Sequence, residues 1–407
     1  MSNPSSGRDH EVFHAPGWRQ WLGFCLAFFC FWASLYLYMP AFPVYADSRG
    51  ASLAVVGVII ASYGFVQFLL RIPVGYLSDR HRSRLTFIVI GLLANALGSV
   101  GMALFPSPVL LIVWRGIHGV GAASWVVTVV YFASFFRPDQ AARATGLLLF
   151  MTALAQVAVS MAGGILAENF GVPFTFWASS LIALIGVAAI FLAGERSSFT
   201  GRPMSFRRFS RIISRPSLAA ASGIAALAHF VTFGLNIAFI PIFADALGAS
   251  KTDLGTVTTV SYLAFALASL VGIVGGRKFG QRSFVIVGSI ATTLTVLALP
   301  AVHAVPALVV LQAINGFARG MVFPVLMGIA ISEVPEYERA SAMGVFQAVY
   351  AIGMFAGPTV AWLVVERLGM HGLFFFVAAF PILGLVVALT WLPSRPVTFR
   401  VRTEVDR

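Results

Sequence analysis

The chain has 407 residues, of which 59% are hydrophobic and only 10% charged, and its formal net charge is +12. Soluble domains carry about 25% charged residues, so this composition excludes a water-soluble protein and indicates a membrane protein. The positive charge does not indicate a nucleic-acid partner, because the basic residues are spread over separate loops beside apolar segments.

Twelve apolar stretches are long enough to cross a bilayer as helices, which takes roughly 20 residues each. The predicted fold class is therefore an all-α membrane protein with twelve transmembrane helices. Only one connection between them is long, at residues 194–216. The predicted helices lie near 21–45, 53–77, 85–105, 108–134, 145–167, 172–193, 217–244, 252–275, 283–303, 306–332, 341–365 and 371–393.

The distribution of lysine and arginine predicts the orientation of these helices. With the N-terminus inside, the predicted outer loops hold three of the 27 basic residues, Arg49, Lys251 and Arg367. Arg115 and Arg319 lie within helices, and the other 22 lie in inside segments or at the helix ends beside them. We expect a multi-pass protein of the plasma (inner) membrane with cytoplasmic N- and C-termini.

A ten-residue sequence that begins at the end of the first predicted helix is repeated 198 positions later, at the end of the seventh. Residues 43–52, PVYADSRGAS, match residues 241–250, PIFADALGAS, at six of ten positions. The same offset relates Glu168 to Glu366. A period near half the chain length indicates two copies of one unit. In membrane chains this duplication is typical of secondary transporters that work at the interface between their halves.

The repeat predicts two pseudo-symmetric six-helix bundles joined by a cytoplasmic linker. The linker interleaves apolar and basic residues, which suits either a short amphipathic helix on anionic lipid headgroups or a plain connection. The predicted domains are 1–193 for the N-terminal bundle, 194–216 for the linker and 217–407 for the C-terminal bundle.

The connection between the second and third helices carries Gly75, Leu77, Asp79, Arg80 and Arg84. This sequence resembles the loop motif of the major facilitator superfamily, G-x-L-x-D-R-x-G-R-R/K, although an arginine replaces its second glycine. The resemblance implies the superfamily fold (MFS fold) of two six-helix bundles.

We expect this motif to form an inner gate made of Gly75, Asp79, Arg80 and Arg84. Gly75 allows two helices to approach closely. Asp79 is placed to cap the N-terminus of helix eleven, near Ser341, by charge–dipole attraction. That contact would close the halves on the inside. The alternative is a plain basic inside loop.

The fourth helix carries a second motif, in which His118 occupies the position of the usual glutamine. It is similar to the superfamily pattern L-x-x-x-R-x-x-Q-G-x-G-A-A and begins at Leu111. The resemblance implies a role in proton coupling for Arg115, which should face the bundle interior because an exposed membrane arginine costs about 2.5–3.5 kcal/mol. His118 adds a group that titrates near neutral pH. The alternative is a structural arginine beside a packed histidine.

The antiporter motif of the superfamily, G-x3-G-P-x2-G-G, is only partly present in the fifth helix. Its glycine pair survives as Gly163 and Gly164, but Val159 and Ser160 replace the Gly-Pro. The eleventh helix carries a better copy in Gly357 and Pro358. This departure argues against drug–proton antiport without deciding the class.

Polar residues that share one face of a helix predict a lined cavity. On the second helix, for example, Tyr63, Gln67 and Arg71 are spaced i, i+4 and i+8. All fifteen acidic residues lie in loops, tails or helix ends, so no carboxylate is expected at mid-membrane. A single amide also serves to join helices. The predicted substrate cavity comprises Tyr36, Gln67, Gln156, His229, Asn236, Gln312, Asn315, Arg319, Gln347 and Tyr350, with Trp32 as a further aromatic candidate.

These features favour a secondary active transporter that works by alternating access. The Arg115 motif and the aromatic first helix favour proton-coupled efflux of small amphipathic or drug-like compounds. The alternative is an importer or exchanger of small organic anions bound by Arg115 and Arg319, since bidentate arginine binding suits carboxylate or phosphate.

An enzyme or a sensor is disfavoured, because the sequence shows no metal-ligand cluster, nucleotide-binding loop or catalytic constellation. We expect no catalytic residues, no cofactor and no metal. The expected partners are a small-molecule substrate, protons as the coupling ion and membrane lipids, with no nucleic acid. The superfamily resemblance implies a monomer.

Overall fold

The computed structural model describes residues 15–81, 83–137, 141–195, 214–332, 334 and 339–392. This part of the chain forms helices and turns, which we number as twelve segments. They are α1, 18–48, made of Trp18–Tyr36, a 3-10 turn at Met39–Ala41 and Phe42–Ser48; α2, Leu53–His81; α3, Arg84–Leu104; α4, Pro108–Ala123 with Trp125–Ala133; α5, Ala141–Phe170; α6, Val172–Ala193; α7, Pro216–Val231 with a π-helical turn at Thr232–Ile237 and Ile240–Ala246; α8, Lys251–Phe279; α9, Gln281–Ala298 with Leu299–Ala301; α10, Val305–Ser332; α11, 339–368; and α12, 370–391.

Ten helices among the described residues are long and apolar enough to cross a membrane. One of the ten contains both α11 and α12. We number its two parts separately because Gly369 interrupts the helix with a non-helical φ of 69°. The segment outside the ten is α1, whose helix stops at Tyr36 and resumes at Phe42. Each predicted helix overlaps one of the twelve observed segments, and their ends differ by at most four residues. The fold prediction is confirmed.

The sequence repeat extends to the backbone. Gly50 and Gly248, one period apart, both adopt a φ of 84° in the turns after α1 and α7. This left-handed conformation favours glycine, which has no Cβ atom. The two helices before these turns are also interrupted, α1 by its 3-10 turn and α7 by its π-helical turn, and the two interruptions share one position of the repeat, Met39 and Ile237.

The two halves of the repeat meet along two seams, α2 against α11 and α5 against α8. A Cβ atom added to Gly57 in α2 would lie 2.8 Å from the backbone oxygen of Pro358 in α11. A Cβ atom added to Gly164 in α5 would lie 2.8 Å from the Cα atom of Gly255 in α8. Small residues therefore bring the helix backbones together, as is usual between membrane helices.

The aromatic side chains of α1 divide between two environments. Phe24 and Phe28 are buried, and Phe24 stacks on Phe132 of α4 with 4.7 Å between ring centroids. Trp32 and Tyr36, further along the helix, line a cavity between the halves. The first group fixes α1 against α4, and the second contributes to the site.

Candidate substrate-binding site

A central cavity of about 190 Å³ lies between the two halves of the repeat. Its lining comes from α1, α2, α4, α5 and α7 to α12. Most of its surface is aromatic or aliphatic, as is typical of small-molecule sites. The aromatic lining residues are Trp32, Tyr36, Tyr63, Trp125, Phe233, Tyr262, Phe265, Phe323, Tyr350 and Phe380.

Arg71 of α2 is the first of two arginines that line this cavity. One guanidinium nitrogen donates to Oε1 of Gln67 at 2.6 Å, and another donates to the backbone oxygen of Gln347 at 2.7 Å. The guanidinium carbon lies 4.7 Å from the ring centroid of Tyr350. The sequence analysis placed Arg71 on a polar stripe but counted its charge with the cytoplasmic flanks. That assignment is wrong, because α2 continues to His81 and Arg71 is 4% exposed.

Arg319 of α10 is the second arginine in the lining. Its Nε donates to Oδ1 of Asn315 at 3.1 Å, and Nη2 donates to the hydroxyl of Ser261 at 2.7 Å. Both partners are neutral. Asn315 in turn donates to the hydroxyl of Thr295 at 2.9 Å, so its amide is fully engaged in orienting the arginine.

Arg115 of α4 is buried beside the cavity and does not line it. It donates to the hydroxyl of Tyr38 at 2.6 Å, and its guanidinium carbon lies 4.1 Å from the ring centroid of Tyr63. Tyr63 lies between Arg115 and the cavity space. Arg115 therefore contributes positive potential to the site through a cation–π contact, with no direct access to a ligand.

The electrostatic environment of the cavity is positive. In the described part of the chain, none of these three arginines forms an ion pair, and the cavity lining contains no carboxylate. A guanidinium in a low-dielectric site gains most from a nearby anion. The arrangement therefore favours ligands that carry negative charge.

Four stacked rings cross the cavity region from one half of the repeat to the other. They follow one another in the order Tyr63, Phe233, His229 and Tyr350. The tightest step is between His229 and Tyr350, whose centroids are 4.2 Å apart. Arg115 lies over the ring at one end and Arg71 over the ring at the other. The ring column joins α2 to α7 and α11 between two cations.

The two membrane histidines occupy different environments. His118 is fully buried outside the cavity lining, where its Nε2 is 3.0 Å from the hydroxyl of Ser99 and its Nδ1 is 3.1 Å from the backbone oxygen of Trp114. His229 lines the cavity, and only its Nδ1 is engaged, 2.8 Å from the backbone oxygen of Ala225. His229 is therefore the histidine that a ligand reaches.

A second, smaller cavity of about 40 Å³ adjoins the central one and shares Ile237, Tyr262 and Arg319 with it. Tyr262 lines both spaces, and Tyr36, which lines the central cavity, packs against it; we call this pair the partition. Their rings are nearly perpendicular, with 5.7 Å between centroids. A residue from each half of the repeat thus contributes to this partition.

The structure divides the ten predicted cavity residues among three locations. Asn236 and Gln312 line the small cavity. Asn315 and Gln347 are buried behind the linings, where Asn315 orients Arg319 and the backbone of Gln347 binds Arg71. The remaining six line the central cavity: Tyr36, Gln67, Gln156, His229, Arg319 and Tyr350.

Several lining residues were not predicted from the sequence, chiefly Trp125 of α4 and Ser261 and Tyr262 of α8. Their only signal was weak, since α8 carries many hydroxyl residues at no single helical spacing. Aromatic residues are also so frequent in this chain that a single tyrosine does not distinguish the cavity from a lipid-facing surface.

The inner loop motif differs in detail from its predicted packing. A Cβ atom added to Gly75 would meet only Cγ1 of Val126 at 3.5 Å, an ordinary contact, so the expected close helix approach at Gly75 is wrong. Arg80 is exposed. The expected contact between Asp79 and Ser341 falls on side chains outside the described part of the chain.

A different carboxylate caps a helix in this loop. Glu195, which follows α6, accepts hydrogen bonds from the hydroxyl of Ser83 at 2.9 Å and from the backbone nitrogens of Arg84 at 2.9 Å and Leu85 at 3.1 Å. These groups form the N-terminus of α3, where a negative charge is stabilised by the helix dipole.

Two related six-helix units around a central aromatic and cationic cavity define a secondary transporter of small molecules. The family model of the Major Facilitator Superfamily matches residues 24–234 and 221–406. The chain belongs to the major facilitator superfamily. It is a multi-pass membrane transporter and not an enzyme.

Known proteins similar to this chain include transporters with and without a named activity. The uncharacterized MFS-type transporter YceJ of Bacillus subtilis is 27% identical over 84% of this chain and 87% of its own length. The multi-drug resistance efflux pump PmrA of Streptococcus pneumoniae serotype 4 is 27% identical over 42% of this chain and 44% of its own. The human organic anion transporter MFSD10 (TETRAN) shares the fold, with a TM-score of 0.70 and 18% identity over 91% of this chain and 99% of its own.

Proposed function

We propose that the protein exports small amphipathic organic anions, drug-like in having an aromatic or aliphatic body and one anionic group. The observation that carries this proposal is the pair of cavity arginines, Arg71 and Arg319, whose hydrogen-bond partners are all neutral. A carboxylate or sulfonate on a ligand would supply the negative charge that the lining lacks.

The aromatic lining supports an amphipathic rather than a purely polar substrate. Trp32, Tyr36 and Trp125 present apolar ring surface on one side of the cavity, and Phe323 and Phe380 present it on the other. Burying the apolar body against these rings contributes about 25 cal/mol per Å² of surface removed from water. A lipophilic cation would gain the same burial but would be repelled by both arginines.

Export is the direction that the similar efflux pump favours, and protons are the coupling ion that we propose. His229 is the histidine in the described lining, and it stacks on Tyr350 directly beside Arg71. A proton on His229 would add a third positive charge to the cavity. Binding of an anion would favour that proton, so the anion and the proton would cross the membrane together. This symport would export the anion wherever the outward gradient of the anion exceeds the inward gradient of protons.

The wider organisation follows from the same proposal. The N-terminal bundle 1–193 and the C-terminal bundle 217–407 would rock as two units about the cavity, with residues 194–216 as the cytoplasmic linker and both termini in the cytoplasm. A monomer would suffice, because one chain contributes the whole cavity lining. The lipid contact expected for the linker falls outside the described residues.

The test uses purified protein in liposomes that enclose a pH-sensitive dye. An aromatic carboxylate and an aromatic amine of the same carbon skeleton are added in turn, and flux of each compound is followed with proton movement. We expect transport of the carboxylate, a loss of at least tenfold in Arg319→Gln, and proton movement that disappears in His229→Gln. Arg49→Gln is the matched control, because Arg49 is an exposed loop arginine that stacks on Tyr45.

Transport of the amine with no transport of the carboxylate would overturn the anion proposal and would indicate an exporter of cations. Carboxylate transport that continues unchanged after collapse of the proton gradient would overturn proton coupling alone, because the substrate class and the coupling ion are measured separately.

A further inference from the structure

We infer that the small cavity is a binding site for a monoanion no larger than chloride or a single carboxylate group. It lies behind the Tyr36–Tyr262 partition, on the side of Met39 and Pro40, and none of the predicted functions requires it. At about 40 Å³ it accommodates about three water-sized groups, since one water needs roughly 10–15 Å³ by this measure. A drug-like substrate does not fit.

The polar groups of this cavity are donors for an anion. Arg319 lines it as well as the central cavity, and its bonded partners, Asn315 and Ser261, bring no negative charge. No acidic residue occurs among the described residues of its lining. The rest of the surface is chiefly aliphatic, so a charge there is poorly screened and its interaction with Arg319 is strong.

Asn236 provides a second, independent observation. Both polar atoms of its side chain are buried, and neither has a hydrogen-bond partner in the described structure. A buried amide that lacks partners is destabilising, so a ligand that supplies them is favoured. Its Nδ2 group donates two hydrogen bonds when a ligand is present. The side chain lines the small cavity together with Gln312, which offers a second amide.

The backbone explains how Asn236 reaches this position. It lies within the π-helical turn Thr232–Ile237, where one extra residue per turn shifts the side chains relative to a regular helix. Such turns occur often at functional sites. The 3-10 turn Met39–Ala41 of α1 begins one period before Ile237, the last residue of the π-helical turn, and its Met39 and Pro40 also line the cavity. The site therefore lies where the first helices of both halves depart from α-helical geometry.

The anion has two possible sources, a free inorganic ion or the carboxylate of a ligand. The experiment measures thermal unfolding of the purified full chain by intrinsic tryptophan fluorescence. Sodium gluconate, whose anion is too large for the cavity, is replaced at constant ionic strength by sodium chloride, sodium formate or sodium acetate. We expect Tm to rise in equal steps with each tenfold increase in chloride above its Kd.

Variants separate this site from the substrate site. Asn236→Ala should lose most of the chloride response, whereas Arg71→Gln should keep it, because Arg71 lines the central cavity and not the small one. Asn236→Asp places a fixed negative charge beside Arg319, so its Tm in gluconate should match or exceed that of the wild type in chloride, with no further response to chloride. This outcome does not depend on Arg319→Gln folding.

The result also identifies the source of the anion. A chloride response that requires Asn236 supports a site for a free inorganic ion. A response to formate or acetate alone, again lost in Asn236→Ala, supports the same site with a carboxylate as its occupant. Equal responses in wild type and Asn236→Ala would overturn the inference. Because no transport is measured, failure here leaves the proposed substrate class intact, and failure of carboxylate transport leaves this site intact.

Discussion

Arg71 on α2 donates a 2.7 Å hydrogen bond to the backbone oxygen of Gln347 on α11. The same guanidinium lies over the ring of Tyr350, one turn further along α11. A cation that lines the substrate cavity is thus also part of the seam between the two halves of the repeat. An anion that draws Arg71 toward the cavity competes with this seam contact, which links ligand binding to the relative position of the halves.

Arg71→Lys and Arg71→Gln should separate the contribution of the Arg71 charge from that of its planar hydrogen-bonding group. The lysine keeps the charge but lacks the planar fork that reaches Gln67 and Gln347 together. We expect Arg71→Gln to weaken anion binding at least tenfold, equivalent to about 1.4 kcal/mol, and Arg71→Lys to show an intermediate loss. The measurement is the substrate dependence of carboxylate flux in liposomes. Equal affinity in wild type and Arg71→Gln would remove Arg71 from the binding site.

The partition between the two cavities gives a prediction about specificity. Tyr36→Ala and Tyr262→Ala each remove one side of a perpendicular ring pair, so either change should join the central and small cavities. We expect both variants to transport longer carboxylates that the wild type rejects. The double variant should show little further gain, because one removal already opens the partition. Additive gains would mean that the rings act separately.

A carboxylate of one half contacts the backbone of the other half at one end of the α5–α8 seam, the end that we predict to be extracellular. Glu168 of α5 accepts a 2.7 Å hydrogen bond from the backbone nitrogen of Lys251, at the N-terminus of α8. Glu168→Gln should weaken this contact by about 0.5–1 kcal/mol, because the negative charge no longer meets the helix dipole. The expected result is a two- to fivefold increase in labelling, by a membrane-impermeant thiol reagent, of a cysteine introduced at Tyr36.

Glu366 provides the matched control for this experiment. Both glutamates are exposed and related by the repeat, but among the described residues only Glu168 accepts a hydrogen bond from the other half. Glu366→Gln, in the same cysteine background, should leave labelling unchanged. If both variants increase labelling equally, the effect is a general loss of charge at the membrane surface and the cross-seam contact is not its cause.

The sequence predicted the fold more completely than the site, for physical reasons. The number of helices follows from the length of apolar sequence needed to cross a bilayer, a local property. A polar stripe defines one face of a helix, but that face also meets neighbouring helices. Asn315 shows the consequence, because its amide binds Thr295 and Arg319 instead of facing the cavity.

Arg71 shows a second limit of sequence reasoning. Its charge counts among the cytoplasmic helix ends on sequence alone, yet α2 continues ten residues beyond it, about 15 Å at 1.5 Å per residue. The position of a charge along a helix depends on where the helix ends, which hydropathy alone locates poorly. Tyr262 lacked any local signal, since its role depends on Tyr36 in the other half of the repeat.

Glu195 gives a prediction about stability. It accepts three hydrogen bonds at the N-terminus of α3 and is the equivalent of a capping residue supplied from another helix. Glu195→Ala should lower the free energy of unfolding by about 1–2 kcal/mol, the usual range for a lost N-cap. Glu195→Gln keeps an acceptor oxygen and should lose less. Thermal unfolding of the purified protein checks the order; identical Tm values for all three proteins would contradict the capping role.

The glycine pair that survives from the antiporter motif gives a prediction about packing. A Cβ atom on Gly163 would overlap the backbone oxygen of Leu37, at the break in α1, and one on Gly164 would lie 2.7 Å from the backbone oxygen of Lys251. Backbone atoms cannot move aside as a flexible side chain does, so alanine at either position should cost at least the 1–3 kcal/mol typical of overpacking.

Gly223 in α7 is the matched control, because a Cβ atom there meets nothing within 4 Å. Gly223→Ala should leave Tm unchanged or raise it, since alanine favours the helix by up to about 1 kcal/mol. Gly163→Ala and Gly164→Ala should lower the yield of folded protein and its Tm. Full stability of Gly163→Ala would mean that α5 approaches α1 less closely than this structure has it. The glycine pair would then be required only for transport, and a loss of flux in Gly163→Ala would show this.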